Sequence, residues 1–387
     1  MSDADQDALI LDSVARFLER EVKPHVHELE YDDIYPAEIV EQMKELGLFG
    51  ATISADYGGL GLTTSTYAKI VEKVSTVWMS LAGIFNSHLI MAAVVERFGT
   101  PAQKEAFLPR FATGELRGGV ALTEPDCGTD LQAVRMAARR DGGDYIVNGT
   151  KTWISNGIYG EIFALLVKTD PSAEPRHRGM SLFLAEKGPG FTVSRKLEKL
   201  GYKGIDSAEL IFSDYRVPAD RLIGGAEGRG LQHALGGLEL GRINVAARGV
   251  GVAQEAVRLA TEWVRDRQTF GAALATRQAV QWAIADSQVE IDAGRLLTWK
   301  AAWEDDAGRD ARLSAAKAKL YCTEMGFRVV DRMIQLLGAM GVARELPLEG
   351  WLRDLRVARL VEGSSEMLRS QVARQVIGPA VRGAKGA

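Results

Sequence analysis

The stretch MAARRDGGDYIVNG, Met136–Gly149, decides the architecture. Two strand-like runs meet at Asp141–Asp144, where paired glycines permit the positive φ of a tight reversal, so the spacing predicts a β-hairpin. Downstream, Phe163–Lys168, Met180–Glu186, Phe191–Lys196 and Ala208–Phe212 are short apolar or alternating runs bounded by Gly, Pro or Asp. No long helical pattern separates them, which argues for an antiparallel sheet or barrel and against a chain of βαβ units. Upstream, Gly119–Leu122 reads as a strand running into LTEPDCGTD, Leu122–Asp130, which crowds carboxylates, hydroxyls, a proline and a glycine at a strand end.

Both flanks have helical periodicity. Leu9, Ile10, Val14, Phe17 and Leu18 recur at three- and four-residue spacing, as do Ile39, Met43, Leu46 and Leu48. Pro24 predicts a helix end at Lys23, and Tyr67–Val74 and Leu81–Phe98 read as further helices. GGAEGRG, Gly224–Gly230, follows no βαβ strand and lacks the Lys-Ser/Thr of a phosphate loop, so it reads as a linker. Beyond it Val245–Val264, Arg277–Ala302, Ser314–Leu337 and Glu349–Val361 are long and alanine-rich. Gly249 and Gly251, inside the first of these, predict close helix packing. The expected fold is mostly α with a central β domain. It comprises an N-terminal helical domain (1–118), a small antiparallel β-barrel or sheet domain (119–223) and a C-terminal four-helix-bundle domain (224–387).

Composition excludes several function classes. The 387 residues carry a net charge of −4 with basic residues dispersed, so no nucleic-acid partner is expected. Two cysteines, Cys127 and Cys322, make no disulfide framework, and a cytoplasmic setting follows as the simpler expectation. The five histidines show no ligand spacing, so no metal site is expected. The N-terminus lacks a basic start followed by an apolar block, and no stretch is expected to approach the apolar length needed to cross a bilayer, so no membrane span is expected.

Four separated pieces carry a family likeness: ALTEPDCGTDLQA (Ala121–Ala133), KTWISNG (Lys151–Gly157), RDRQTFG (Arg265–Gly271) with RQAVQ (Arg277–Gln281), and QLLGAMG (Gln335–Gly341) followed by RDLRVARLVEGSSEMLR (Arg353–Arg369). In this order, over essentially the whole chain, they resemble the flavin-dependent acyl-CoA dehydrogenases. The resemblance implies FAD as cofactor, an acyl-CoA substrate, and an electron-transferring flavoprotein as electron acceptor. Oxidising the α–β bond of an acyl thioester requires a carboxylate at Cα, donors on the enolate-like carbonyl, and a hydride acceptor near Cβ.

By that resemblance, Leu122 and Thr123 bond the flavin edge. Gly128 and Thr129 border the flavin and the pantetheine arm, Thr129 also contacting substrate, while Glu124 and Asp130 brace the turn. Trp153 and Ser155 cover the flavin ring near N5; serine replaces the common threonine but keeps the donor. Glu362 is the base that abstracts the α-proton, with Gly363 beside the substrate. Some relatives carry the base on an earlier helix, just before an arginine. In GLELGRINVA that position is Gly241, before Arg242, and glycine cannot take a proton. Glu239 and Arg242 correspond to CoA-side positions. Arg267 pairs with the diphosphate, Phe270 and Gln278 line the adjoining surface, Gln335, Gly338 and Ala339 form the adenosine-side segment, and Ser364 and Glu366 flank the ribityl-diphosphate. A neighbouring subunit shares this site in the family, which implies a homotetramer, a dimer of dimers. Gly350, where a basic residue is usual, and Ala339, where glycine is common, depart from the pattern.

The acyl pocket draws on Thr76–Ser87, where relatives acting on glutaryl-type substrates place an arginine. Met79 stands there, so a neutral acyl chain is expected, since an unpaired distal carboxylate costs several kcal/mol to bury. Trp78 and Phe85 are candidates for shaping that pocket. Three functions compete: an acyl-CoA dehydrogenase; an oxidase or monooxygenase on the same scaffold; and a non-catalytic acyl-CoA or flavin binder. The retained Glu362 favours the first.

Overall fold

The computed structural model describes residues 3–378; residues 1–2 and 379–387, the outer ends of the first and last predicted segments, lie outside the described part. Six helices come first: α1 (Asp3–Phe17), α2 (Val26–Tyr31), α3 (Ala37–Glu45), α4 (Thr64–Ser75), α5 (Met79–Phe98) and α6 (Pro101–Ala112). Local chemistry starts two of them. The Thr63 hydroxyl accepts the Thr66 amide at α4, and Thr100 and Gln103 cap one another across α6, with Pro101 at its first turn. A π-turn over Leu18–Val22 carries α1 on to Lys23, where Pro24 stops it.

The sheet follows: β1 (Gly118–Ala121), β2 (Ala137–Asp141), β3 (Asp144–Ser155), β4 (Ile162–Lys168), β5 (Met180–Glu186), β6 (Phe191–Lys196) and β7 (Ser207–Pro218), in the spatial order β1-β4-β2-β3-β7-β6 with β5 on β4. The β2–β3 hairpin pairs Asp141 with Asp144, as its glycines demand. Most pairs are antiparallel, but β1 and β2 each run parallel to β4. The hairpin lies between β1 and β4 in sequence and serves as their crossover, a connection that alternation cannot reveal. Two bulges interrupt β3 against β7, at Val147/Gly149 and Lys151/Ile154.

After a glycine turn come α7 (Gly230–Asp266), the small hairpin β8 (Gln268–Thr269) and β9 (Ala272–Ala273), α8 (Gln278–Asp306), α9 (Arg312–Leu337), α10 (Leu348–Ala358) and α11 (Ser365–Ile377). At 37 residues α7 spans about 55 Å. It begins well before the predicted Val245 because its first turns spend glycines on contact: a Cβ at Gly237 would meet Val94 Cγ2 at 2.6 Å. Gly249 and Gly251 do what their spacing predicted. A Cβ on either would lie 2.5 Å from Cys322 O or 2.2 Å from Glu72 O, so α9 and α4 approach α7 backbone to backbone.

One apolar core joins the helices, and a second fills the sheet around Phe163, Phe183, Phe191 and Phe212. Helix α5 corrects one expectation, that no stretch approaches the apolar length of a membrane span. It is long and apolar enough to cross a bilayer, yet nearly all of it is buried against neighbouring elements. It packs on β1, α4 and α7, which brings the sheet edge beside the helical domains.

Candidate active site

Between α10 and α11 the chain reverses through two consecutive left-handed residues, Glu362 (φ 54°) and Gly363 (φ 97°). Such a φ is costly for glutamate, so the surroundings must hold it. They do so through the carbonyls: Arg242 Nε donates to Glu362 O at 3.2 Å, and Lys319 Nζ donates to Gly363 O at 2.8 Å. Behind the turn Glu324 accepts from Ser365 Oγ at 2.7 Å and pairs with Arg359 at 2.9 Å. The backbone N–H groups of Glu362 and Gly363 have no acceptor among the described residues.

The Glu362 side chain turns inward onto α7. A Cβ at Gly241 would lie 3.0 Å from its carboxyl carbon and from Oε2, so the two candidate base positions face the same point. Burial pushes this carboxyl above the usual glutamate range, and the cations Arg248, Arg242 and Lys319 pull it back. Burial in turn brings the Lys319 ammonium down to about 8. A carboxylate with this environment suits a proton acceptor working near neutrality.

A second wall forms at the sheet edge. Lys151, fully buried, donates to Leu122 O at 3.0 Å and to Glu124 Oε1 at 2.8 Å. Glu124 also accepts the amides of Arg135 and Met136, at 2.7 and 3.1 Å. It is the brace the sequence suggested, and Asp130 likewise accepts the Gln132 amide at 3.2 Å. Thr152 N–H donates to Thr123 O at 2.9 Å, stitching the loop to β3. Trp153 sits within the second bulge at φ 60° and is 57% exposed, and bulges next to sites re-aim side chains in this way. The hydroxyls of Thr123, Thr129 and Ser155 have no hydrogen-bond partner among the described residues.

The remaining expected positions fall in separate places. Glu239 lies 3.6 Å from Arg97, its carboxyl raised mainly by burial. Ser364 caps α11 by accepting the Met367 amide at 3.4 Å, and Glu366 is exposed in that helix's first turn. Arg267, Phe270 and Gln278 are exposed around the β8–β9 hairpin, and Gln335, Gly338 and Ala339 are exposed at the end of α9. No hydrogen bond or ion pair among the described residues joins these two groups to Glu362. Gly350 lies against Glu30, whose carboxyl burial raises to about 8. Sequence reasoning missed Lys151, Lys319 and Arg248, and only Arg248 left a signal: a lone charge inside the apolar run Asn244–Ala253.

The three segments match known domains. Residues 4–115, 119–215 and 228–377 match the N-terminal, middle and C-terminal domains of acyl-CoA dehydrogenase in turn. The chain belongs to the acyl-CoA dehydrogenase family. A relative, (2S)-methylsuccinyl-CoA dehydrogenase of Cereibacter sphaeroides, is 35% identical over 379 residues, covering 95% of this chain and 69% of that protein. Butyryl-CoA dehydrogenase of Megasphaera elsdenii shares the fold at TM-score 0.93 and 31% identity, with 98% and 99% of the two chains covered. A chain from a structural study of the electron transferring flavoprotein of Acidaminococcus fermentans matches at TM-score 0.93 and 32% identity, covering 97% and 98%.

Acyl-CoA dehydrogenases depend on FAD, and the sheet-edge wall fits it. Unpartnered hydroxyls meet an exposed indole there, and a Cβ at Gly128 would touch only Thr123 Cγ2, at 3.6 Å, leaving room for a ring system. Arg267 has no carboxylate in ion-pair range among the described residues and is available to a diphosphate.

Proposed function

We propose that this acyl-CoA dehydrogenase converts an acyl-CoA thioester to the trans-2-enoyl-CoA, with Glu362 taking the α-proton. The observation that carries this reading is the Glu362 carboxylate, turned inward over Gly241 with its backbone locked by Arg242 and Lys319. The free amide of Glu362 lies beside that carboxylate and is a donor for the thioester carbonyl, where negative charge develops as the proton leaves. Bound FAD supplies the acceptor for the β-hydride. Thr123, Thr129, Trp153 and Ser155 would hold and cover it, with Leu122 and Gly128 at its edge. Thr129, Glu239, Arg242 and Gly363 would border the substrate, and Ser364 and Glu366 the ribityl-diphosphate. Proton and hydride leave adjacent carbons, the C=C bond forms between them, and the two electrons pass on to an electron-transferring flavoprotein.

A homotetramer is supported by two exposed features. Trp282, Val289, Leu296 and Trp303 recur every seventh residue along α8, all more than half exposed, and make an apolar stripe for another subunit. Phe270 stands fully exposed at the β8–β9 turn, where a neighbour would complete the cofactor's adenosine side with Arg267, Gln278, Gln335, Gly338 and Ala339. Both cysteines are free, in keeping with a cytoplasmic setting.

Purified protein should be yellow and should bleach under anaerobic mixing with acyl-CoA. Oxygen uptake equal to enoyl-CoA formation, with no added acceptor, would instead make it an oxidase. The pH profile follows from the base. A proton acceptor must be ionised, and burial raises its pKa, so kcat/KM falls as pH drops through a value above the ordinary 4.5. Arg242→Gln removes a cation that favours the ionised form, so its acid limb moves to higher pH. An acid limb unmoved in that variant would deny the electrostatic link.

A further inference from the structure

Arg248, on α7, is 2% exposed, and no carboxylate among the described residues lies in ion-pair range of it. Its Nε donates to Asn244 Oδ1 at 2.5 Å and its Nη2 to Ala82 O at 3.3 Å. Nη1 has no acceptor among the described residues and lies against Gly83, where a Cβ would come within 3.3 Å of it. The guanidinium sits 5.6 Å from the ring centroid of Tyr202, whose hydroxyl is buried and has no hydrogen-bond partner among the described residues. Each therefore keeps one donor unmet among the described residues, the guanidinium at Nη1 and Tyr202 at its hydroxyl. Glu362 feels this cation only at longer range, and a buried guanidinium with no carboxylate in ion-pair range is expensive, as is a hydroxyl left unmet.

The surroundings fix the guanidinium. Asn244 Nδ2 donates to Tyr67 Oη at 2.7 Å and Tyr67 donates to Asn86 Oδ1 at 3.3 Å, which turns the Asn244 carbonyl toward Arg248. Position also matters. Gly241, beneath the Glu362 carboxylate, and Arg248 lie two turns apart on one face of α7, about 10 Å along the axis. The side chain leans back toward the helix N-terminus, as its bond to Asn244 shows, and shortens that span. A short acyl chain beginning at the base would reach it. Met79 provides no cation on α5, but Arg248 contacts Ala82 and Gly83 of that same helix and brings one from α7.

We propose that Arg248, assisted by Tyr202, is a specificity-determining residue that receives a distal carboxylate, so that the preferred substrate is a four- or five-carbon dicarboxylic monothioester of CoA. This reverses the neutral chain expected from Met79 and rests on the dehydrogenase reading. The carboxylate stays intact: the α-proton goes to Glu362, the β-hydride to bound FAD, and the α–β bond becomes double.

The test compares FAD-loaded protein on butyryl-CoA, methylsuccinyl-CoA and glutaryl-CoA, with reduction followed anaerobically. The parent should show a higher kcat/KM on at least one dicarboxylic substrate than on butyryl-CoA. In Arg248→Gln the ratio of dicarboxylic to butyryl kcat/KM should fall at least about a hundredfold, mainly through KM, since a buried charge pair loses one partner. Arg248→Lys should retain part of the ratio. A parent that prefers butyryl-CoA overturns the proposal and leaves the dehydrogenase reading standing, as does a Gln variant with an unchanged ratio. Absence of reduction by every acyl-CoA would count against the dehydrogenase reading itself.

Discussion

A carboxylate moved from residue 362 to residue 241 should restore proton abstraction to a chain that has lost it. Glu362→Gly is expected to lower the rate of flavin reduction by about 10²–10⁴-fold, the usual worth of a positioned general base. Adding Gly241→Glu should recover part of that loss, because a Cβ built at Gly241 lies 3.0 Å from the carboxyl carbon it would replace. Clearing residue 362 is essential, since both side chains cannot occupy that space. Recovery is expected to be incomplete: Arg242 and Lys319 grip the carbonyls of Glu362 and Gly363 and align a side chain departing from there, not from α7. Stopped-flow bleaching at saturating acyl-CoA measures both steps. A double variant no faster than Glu362→Gly, with substrate still bound, would mean that the two positions do not address the same proton.

The second large effect concerns stability. Lys151→Met should destabilise the protein by about 3–5 kcal/mol, the cost of breaking a buried ion pair from one side. Lys151 is fully buried, and its ammonium satisfies both Leu122 O and Glu124 Oε1. Without it, Glu124 keeps two backbone amides but loses its only ion-pair partner among the described residues. The Leu122–Asp130 loop then loosens where the flavin edge is expected, so FAD retention should weaken together with the thermal midpoint. Lys151→Met combined with Glu124→Gln should recover much of the midpoint, because no unpaired charge remains. A single variant melting with the parent would show that the pair is dispensable.

Much of this was readable beforehand, and the misses have physical causes. The β2–β3 hairpin was legible because Gly142 and Gly143 fix the turn. The parallel β1–β4 pair was not, because register between distant strands is set by the fold rather than by alternation. The N-terminal half of α7 was hidden by its glycines, which disfavour helix locally but let Ile90, Val94 and the Glu362 side chain come close. Glu362 was legible as a candidate through its motif and through the glycine at 241. Lys151, Lys319 and Arg248 act through carbonyls and residues far away in sequence, and a lone basic residue announces no such partner. Helix α5 shows the converse: its composition suits a bilayer equally well, and only the elements packed around it distinguish the two.

Rapid mixing of FAD-loaded Glu362→Gln with acyl-CoA under anaerobic conditions isolates the proton abstraction proposed for Glu362. Glutamine keeps the shape and loses the basicity. The flavin spectrum should be perturbed, marking a bound complex, and then stay yellow, with bleaching slowed at least about a hundredfold. Bleaching at the parent's rate would contradict that assignment.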